Sequence, residues 1–316
     1  MAKAPGLQCG WLADLMVQMN SIADLWADLW ILSHHRLGES IIWHKASGKL
    51  YWIDLLDPAL FSHDLRSGET ARQPLSLPPP IGSIAATTDP KRLILAHRGG
   101  LSILHLETLA LEPYCDPEAG RNDIIYNDIK VDRWGRLWVG TSHAKEQEPR
   151  GALWCVQDRK TWALGDVGFP VSNGPAFSLD GKTMIFNDSV GRQTLAYDVG
   201  KDSLFPRNRR LLRHHAEADG MPDGVVVDSA DTIWTAQWNG AAILALSPAG
   251  NLLHRIEVPA FNVTTLCFAG PELRDVFVTT ATDGMTAESR QKYPLTGSLF
   301  KFRADTPGLA EPLFPI

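Results

Sequence analysis

Short apolar runs recur along the chain at a nearly constant spacing, and a turn dipeptide precedes each of them. The six runs are Leu50–Ile53, Leu93–Ala96, Leu137–Gly140, Met184–Asn187, Ile233–Ala236 and Val276–Thr279. Their first residues are separated by 43, 44, 47, 49 and 43 positions. A period in this range indicates a repeat architecture, and apolar runs that alternate with turn residues predict repeats made of strands.

A second apolar run follows in each repeat, so every unit contains at least three predicted strands. These runs are Leu60–His63, Ser102–His105, Ala152–Cys155, Thr194–Tyr197, Ala242–Ala245 and Ser298–Lys301. A fourth strand is predicted in places, such as Leu252–Ile256. Three or four antiparallel strands in about 45 residues match one blade of a β-propeller. The sequence therefore predicts an all-β fold, a six-bladed β-propeller, with Ala23–Leu32 placed to supply the outer strand of the last blade.

The length of 316 residues and the hydrophobic content of 44% are sufficient for one large all-β domain. We predict a propeller domain over residues 21–316. An N-terminal extension, residues 1–20, precedes it and is expected to be either disordered or a short amphipathic helix. The Trp- and Leu-rich residues 11–31 are interrupted by Asp14, Asp24 and Asp28. These charges argue against a membrane span and a signal peptide.

The charge and the cysteine content argue against several classes of function. The net charge of −6 argues against a surface that binds nucleic acid or an anionic membrane. The four cysteines form no Cys-x-x-Cys pair and no zinc-finger spacing with histidine. They are expected to be reduced thiols in a cytoplasmic protein, which we expect to be a monomer or a small homo-oligomer.

Polar residues open the first strand of each predicted blade, namely Glu39, Ser83, Asn127, Asn173, Asp223 and Thr264. The first strands of a propeller line its central channel, so these side chains are expected to meet near one mouth. Carboxylates buried there without a partner would be destabilising, and a cation would remove that cost. Glu39, Asn173 and Asp223 offer hard oxygen ligands, which favour calcium, magnesium or manganese. For any one of Asn127, Asn173 or Asp223 alone, a residue that caps a strand and bonds to a turn is the better explanation, and the metal site is predicted from their matching repeat positions.

Other catalytic motifs do not occur in the sequence. It has no Gly-x-Ser-x-Gly nucleophile elbow, no P-loop, no Gly-rich dinucleotide fingerprint and no zinc-protease histidine pair. Asp128, next to Asn127, is expected to be structural, because successive strand residues point to opposite faces.

A series of short motifs covers residues 37–303 in order. They are Leu37–Ser40, Leu50–Asp54, Asn127-Asp128, Val131-Asp132, Gly135-Arg136, Gly140-Thr141, Gly151–Trp154, Ser172–Gly174, Phe177–Asp180, Asn187–Ser189, Pro222–Gly224, Trp234–Ala236, Asn239-Gly240, Thr264-Thr265 and Phe277–Ala281. In residue type and spacing they resemble the gluconolactonase/senescence marker protein (regucalcin)-like family. The resemblance implies a six-bladed propeller with one divalent metal ion in its channel, and hydrolysis of a small lactone by metal-activated water.

The same resemblance implies roles for individual residues. Glu39, Asn173 and Asp223 correspond to the metal ligands of the family, Asn127 to its substrate-contacting asparagine, and Asp223 also to the acid that activates water. Calcium is the expected ion, with zinc, manganese or magnesium as alternatives.

Two departures from the family pattern affect the expected substrate. Sugar-lactonase relatives carry Arg-x-Asn-Asp-Gly, whereas this chain has Ile125 in place of the arginine. We expect Ile125 to contact the substrate. Lys145 aligns with a substrate-binding glutamate of those relatives, and Glu146 is displaced from it by one position. The expected substrate is therefore a different aldonolactone or a less polar lactone.

Three other functions use the same sequence features. A non-catalytic calcium-binding regulatory protein would use the same ligands. A metal-propeller aryl esterase or organophosphatase would use the same ion on other substrates. A propeller that serves only as a protein-binding platform would need no ion.

Overall fold

Each predicted repeat folds into a sheet with four antiparallel strands, one of the sheets gaining a short fifth strand, and the six sheets surround a channel in the computed structural model, which describes residues 25–316. The innermost strands of neighbouring sheets contact one another around a closed ring. The predicted six-bladed β-propeller is confirmed. The predicted N-terminal extension, residues 1–20, and the predicted domain start at residue 21 lie outside the described residues.

Strands in the first three blades run outwards from the channel in chain order. Blade 1 comprises β3 (Gly38–His44), β4 (Lys49–Asp54), β5 (Ala59–Asp64) and β6 (Thr70–Pro74). Blade 2 comprises β7 (Ile81–Ala86), β8 (Arg92–His97), β9 (Gly100–His105) and β10 (Leu111–Cys115). Blade 3 comprises β11 (Ile124–Val131), β12 (Leu137–His143), β13 (Gly151–Val156) and β14 (Trp162–Phe169).

The next two blades repeat this order. Blade 4 comprises β15 (Ser172–Phe177), β16 (Thr183–Asp188), β17 (Gln193–Gly200) and β18 (Ser203–His214). Blade 5 comprises β19 (Met221–Val227), β20 (Ile233–Trp238), β21 (Ala242–Leu246) and β22 (Leu252–Glu257). A 3₁₀ helix, Glu217–Asp219, connects blades 4 and 5. All six apolar runs that revealed the repeat lie in the second strands of their blades.

Blade 6 combines both ends of the described chain. Its inner strands are β23 (Asn262–Ala269), β24 (Asp275–Ala281) and β25 (Leu299–Arg303), and a short helix, α1 (Ala287–Lys292), precedes β25. Its outer strand is β2 (Asp28–Ile31), which pairs antiparallel with β25. A two-residue strand, β1 (Leu25–Trp26), pairs in parallel with β22 of blade 5. The predicted closure by an N-terminal strand is confirmed, and it covers an otherwise open sheet edge.

Buried apolar side chains pack between the blades. Within residues 25–316 they form six clusters, one for each pair of neighbouring blades. Between blades 6 and 1, for example, Trp52 packs in one cluster with Phe277 and Leu299. Because these interfaces supply the hydrophobic stabilisation of the ring, the channel axis is free to carry polar residues.

Every innermost strand contains one extra residue at the same level. In β3, Glu39 pairs with Ile53 but Ile42 pairs with Tyr51, which is a one-residue β-bulge. The same shift occurs in β7, β11, β15, β19 and β23. A bulge interrupts the alternation of side chains between the two faces of a strand. Consecutive residues of these strands can therefore both line the channel.

The C-terminal segment, residues 304–316, crosses one end of the channel. Phe314 is fully buried, and its backbone N–H donates to the carbonyl oxygen of Ala86 at 2.9 Å. The ammonium group of Lys130 in β11 pairs with the carboxylate of Glu311. These contacts cover the end of the channel opposite to Glu39.

Three of the four cysteines, Cys115, Cys155 and Cys267, lie in the described part of the chain and are unpaired thiols, as predicted; Cys9 lies outside it. None of the helices within residues 25–316 has the length and apolar character needed to cross a membrane.

Candidate functional site

A cavity of about 130 Å³ lies at the open end of the channel. Its walls come from the beginnings of innermost strands and from the segments where second strands end. Glu39, Asn127, Asn173 and Asp223 all line it, and they come from four different blades. The structure therefore brings together four of the six residues that were expected at one mouth, while their roles as metal ligands or substrate contacts remain predictions.

Three other residues singled out in the sequence do not line this cavity. Ile125 is buried in β11 opposite Ser142, so the geometry gives no support to its predicted contact with a substrate. The hydroxyl of Thr264 donates to the carbonyl oxygen of Gly38 at 2.6 Å. The Ser83 hydroxyl lies 2.7 Å from that of Ser40. Thr264 and Ser83 thus connect neighbouring innermost strands.

Glu39 and Asp223 are buried carboxylates without a basic partner among the described residues. They are only 7% and 6% exposed. Burial raises the pKa of Glu39, and the charges of Asp223 and Asp128 raise it further, against one hydrogen bond from the Ser40 N–H at 2.8 Å. Burial likewise raises the pKa of Asp223, and Asp128 and Glu146 add to the effect. The site therefore holds excess negative charge that a cation would neutralise.

Asp128 contributes to this charge, although it does not line the cavity that Asn127 lines. It lines a smaller cavity, about 20 Å³, one step further along the channel. Its Oδ2 accepts a hydrogen bond from the Gly174 N–H at 2.9 Å. Burial raises the pKa of Asp128 to about 6, although this hydrogen bond and Lys130 lower it. The bulge in β11 breaks the alternation of faces from which a structural role was predicted, but the hydrogen bond to Gly174 is itself a structural contact.

Gly174 is required at this point for two reasons. Its φ angle is +82°, a conformation that side chains strongly disfavour. A Cβ atom there would lie 2.6 Å from Cγ1 of Val225, too close for van der Waals contact.

A relay of hydrogen bonds orients the two amides of the site. The Asn127 Nδ2 donates to the carbonyl oxygen of Ser172 at 2.7 Å and to Oδ1 of Asn173 at 2.9 Å. The Asn173 Nδ2 donates to the Ser189 hydroxyl at 2.7 Å, which donates to the carbonyl oxygen of Pro222 at 2.6 Å. Both amide nitrogens are thus engaged. Asn127 therefore offers its oxygen to a ligand, and Asn173 offers the second lone pair of its oxygen.

Two carboxylates at the mouth of the cavity, Glu146 and Asp283, were not assigned to the site from the sequence. Glu146 lines the cavity and Lys145 does not, which corrects the expectation that Glu146 is displaced from the binding position. The Glu146 N–H donates to the carbonyl oxygen of His143 at 2.8 Å, and Glu146 adopts a φ of +57°. This tight turn after β12 directs Glu146, one residue later than the alignment implied, into the mouth.

The donor chemistry of the cavity fits a divalent cation. No group of three or more His, Cys, Asp or Glu residues within residues 25–316 is arranged as a metal site. Beside the two buried carboxylates, Asn127 and Asn173 bring amide oxygens to the same cavity. Glu39 and Asp223 with Asn173 supply three hard oxygen donors and two negative charges, as calcium and similar ions prefer.

The chain is similar in sequence to a known protein family and to proteins named as lactonases. Residues 37–282, well over half of the chain, match the family model described as SMP-30/Gluconolactonase/LRE-like region. The chain is 34% identical over 281 residues to a 6-deoxy-6-sulfogluconolactonase from Pseudomonas putida, covering 88% of this chain and 94% of that protein. It is 27% identical over 286 residues to pentonolactonase XacC from Haloferax volcanii, covering 87% and 94%.

Among solved structures, the fold is similar to that of the calcium-binding protein regucalcin from Agrobacterium tumefaciens. The TM-score is 0.86 at 24% sequence identity, and the match covers 93% of this chain and 100% of that one. At this identity the likeness establishes the propeller fold.

Proposed function

Because the chain belongs to the SMP-30/gluconolactonase/LRE-like family, we propose that it is a metal-dependent hydrolase that opens the ring of a small lactone. The observation that carries this proposal is the convergence of Glu39, Asn127, Asn173 and Asp223 on one cavity, two of them buried carboxylates without a basic partner. The names of the two lactonases, which match this chain over almost their whole length, support the reaction class.

Glu39, Asn173 and Asp223 would hold one divalent cation in this cavity. An all-oxygen ligand set with two carboxylates favours calcium, with zinc, manganese or magnesium as alternatives. When bound, such an ion would supply Lewis-acid polarisation of the lactone carbonyl and would lower the pKa of water.

The residues of the chain would bind the lactone and move a proton. The Asp223 carboxylate would accept the proton of the attacking water, since no side chain among the described residues donates a hydrogen bond to it. The Oδ1 of Asn127 would accept a hydrogen bond from a substrate hydroxyl, because both of its amide hydrogens are already donated. Val190 and Trp238 form an apolar wall against which the ring would pack.

A pH-stat assay of the purified protein tests this proposal. The substrates are sugar lactones, less polar lactones, aryl esters and organophosphates, each measured with and without a chelator. We expect lactone hydrolysis that the chelator abolishes and a single type of divalent cation restores. Asp223→Asn should lose this activity, and Asp180→Asn, the same chemical change at an exposed turn, should keep it.

The other outcomes separate the alternative functions. If the protein hydrolyses aryl esters or organophosphates but not lactones, it is a metal-dependent aryl esterase or organophosphatase. A protein that binds calcium but hydrolyses none of the four classes would contradict the proposal and favour a regulatory role.

A further inference from the structure

The mouth of the cavity carries more negative charge than one divalent ion neutralises. Glu39 and Asp223 lie deep in the cavity, and the buried Asp223 carboxylate has no side-chain donor among the described residues. Glu146 and Asp283 line the same cavity but are exposed. An ion held by the deep pair balances that pair and leaves the exposed pair without a counter-charge.

No basic side chain of the described residues lines this cavity. Arg36 and Arg290 lie on neighbouring segments, but each guanidinium group donates to a backbone carbonyl. Arg36 reaches the oxygen of Leu56 at 3.3 Å, and Arg290 reaches that of Thr282 at 3.0 Å. Lys145 is exposed beside Glu146 and is not part of the lining. The negative charge of the mouth therefore acts directly on a bound molecule.

The two exposed carboxylates reach one space from different blades. Glu146 follows β12 in blade 3, and Asp283 follows β24 in blade 6. Partial desolvation of its carboxylate by the walls of the mouth raises the pKa of Glu146, and the charge of Asp283 raises it further. The two groups are thus close enough to influence the same ligand.

Backbone hydrogen bonds hold both carboxylates in place. The Asp283 N–H donates to the carbonyl oxygen of Arg36 at 2.9 Å, and the carbonyl oxygen of Asp283 accepts from Nδ2 of Asn262 at 2.8 Å. In the other segment, the ring of His143 accepts from the N–H of Glu148 at 3.2 Å. Both side chains therefore project from anchored segments.

We propose that Glu146 and Asp283 make the site selective for lactones without a negatively charged substituent. The inference rests on the proposed lactonase function and specifies its substrate class as uncharged lactones. A sulfonate, phosphate or carboxylate on the ring would lie among like charges at the mouth, where Coulomb repulsion at intermediate dielectric corresponds to a roughly 3- to 30-fold penalty per charge pair. The chain would then differ from its relative whose name specifies a sulfonated lactone.

The test compares two lactones that differ only in charge, glucono-1,5-lactone and its 6-deoxy-6-sulfo analogue. The ratio of their kcat/KM values is measured for the wild-type protein, Glu146→Gln, Asp283→Asn and the double variant. We expect the wild type to favour the uncharged lactone at least tenfold. Each single variant should reduce that preference about 3- to 10-fold, and the double variant should reduce it more.

A matched control and a salt titration separate charge from structure. Glu148→Gln removes the same charge from the same segment but does not alter the lining of the cavity, so its ratio should equal that of the wild type. Raising the ionic strength should narrow the wild-type preference, because exposed charges are screened. Equal rates on both lactones, or an unchanged ratio in the double variant, would overturn the proposal.

A binding measurement distinguishes this proposal from the lactonase assignment. Calorimetry with the metal-loaded protein compares 1,5-anhydroglucitol with its 6-deoxy-6-sulfo derivative, neither of which can be hydrolysed. Tighter binding of the uncharged compound with no turnover of either lactone would refute the lactonase function and uphold charge selection. Failure to bind or hydrolyse any of the four compounds would refute both.

Discussion

Two kinds of buried carboxylate occur at opposite ends of the innermost strands. At the turn that follows β11, Asp132 is completely buried and accepts four hydrogen bonds. Its Oδ1 accepts from the backbone N–H groups of Trp134 and Arg136, at 2.9 and 3.0 Å. Its Oδ2 accepts from Nε of Arg136 at 2.6 Å and from Nε1 of Trp138 at 2.9 Å. This carboxylate is fully satisfied by the protein.

Blade 5 contains both kinds of carboxylate on one strand. Asp228, directly after β19, accepts from the N–H of Thr232 at 2.9 Å and from Nε1 of Trp234 at 3.0 Å. Asp223, near the other end of the same strand, is also buried, but the backbone N–H of Gly224 is its one donor among the described residues. Burial alone therefore does not identify a functional carboxylate. The number of donors around it separates a group that stabilises a turn from one that is available to a ligand.

Removing the charge of Asp223 provides the largest expected effect. Asp223→Asn should lower kcat/KM for a lactone about 10³-fold or more, because the proton acceptor and one metal ligand are lost together. Thermal unfolding of the chelator-treated variant should occur at or above the wild-type temperature, since an unpaired buried charge is removed. Lactonase activity close to that of the wild type would show that Asp223 is not the base.

Removing Asp132, whose carboxylate is fully hydrogen-bonded in a turn, should lower stability. Asp132→Ala leaves the buried guanidinium group of Arg136 without its carboxylate, and the free energy of unfolding should fall by about 3–5 kcal/mol. Denaturant titration measures this change, with Asp180→Ala at an exposed turn as the control. If the free energy of unfolding of Asp132→Ala falls by less than about 1 kcal/mol, the carboxylates of the turns do not stabilise the fold as proposed.

The relay behind Asn173 should affect cation binding and not the fold. Ser189→Ala removes the acceptor of the Asn173 amide, so the affinity for a divalent cation should fall roughly 10- to 100-fold. Competition with a chelating dye measures the affinity, and Ser178→Ala at the other end of blade 4 is the control. Chelator-treated Ser189→Ala should unfold near the wild-type temperature, so a change in affinity would not reflect a damaged fold. A cation affinity equal to that of the wild type would exclude a role of Ser189 in positioning Asn173.

Neutralising Glu39, the other buried carboxylate of the channel, should change the free energy of unfolding less than Asp132→Ala does. In the chelator-treated protein, Glu39→Gln should raise the free energy of unfolding at neutral pH by about 1 kcal/mol, because a buried charge without a partner is removed. Added cation should stabilise the wild type but not this variant. Equal stabilisation of both proteins by the cation would place its binding site elsewhere.

Asp54 is a hydrogen-bonded buried carboxylate whose contribution to stability should depend on pH. Burial would raise its pKa, but hydrogen bonds from His35 and from the N–H groups of Asp57, Arg36 and Leu37 lower the value below normal. A carboxyl group with a lowered folded-state pKa stabilises the protein above its unfolded pKa, near 4, and loses this contribution as the pH falls through the folded value. The wild type should therefore be more stable than Asp54→Asn at pH 7, and this difference in the free energy of unfolding should disappear in acid. A difference that grows below pH 4 would contradict the assignment.

The fold was predictable because its main signal is local and repeated. The apolar runs at Leu50, Leu137 and Ile233 each mark the second strand of a blade, and their spacing alone indicates the number of blades. The closing strand β2 was predictable for a related reason, since an all-β ring needs a partner for its last edge.

The details of the site were less predictable because they depend on pairing between strands. The bulge that brings Asp128 to the channel is defined by the register of β11 against β12, which residue types do not reveal. Glu146 enters the cavity through a left-handed turn conformation at a non-glycine residue, which has no clear sequence signal. Asp283 and Ser189 follow second strands, so polar residues just after those strands were the signal that could have identified them.

Anomalous diffraction from crystals grown with manganese would locate the cation itself. We predict one strong anomalous peak in the channel, within coordination distance of carboxylate oxygens of Glu39 and Asp223 and of the amide oxygen of Asn173. A channel without a peak in crystals of active protein, or a peak held by other residues, would contradict this prediction.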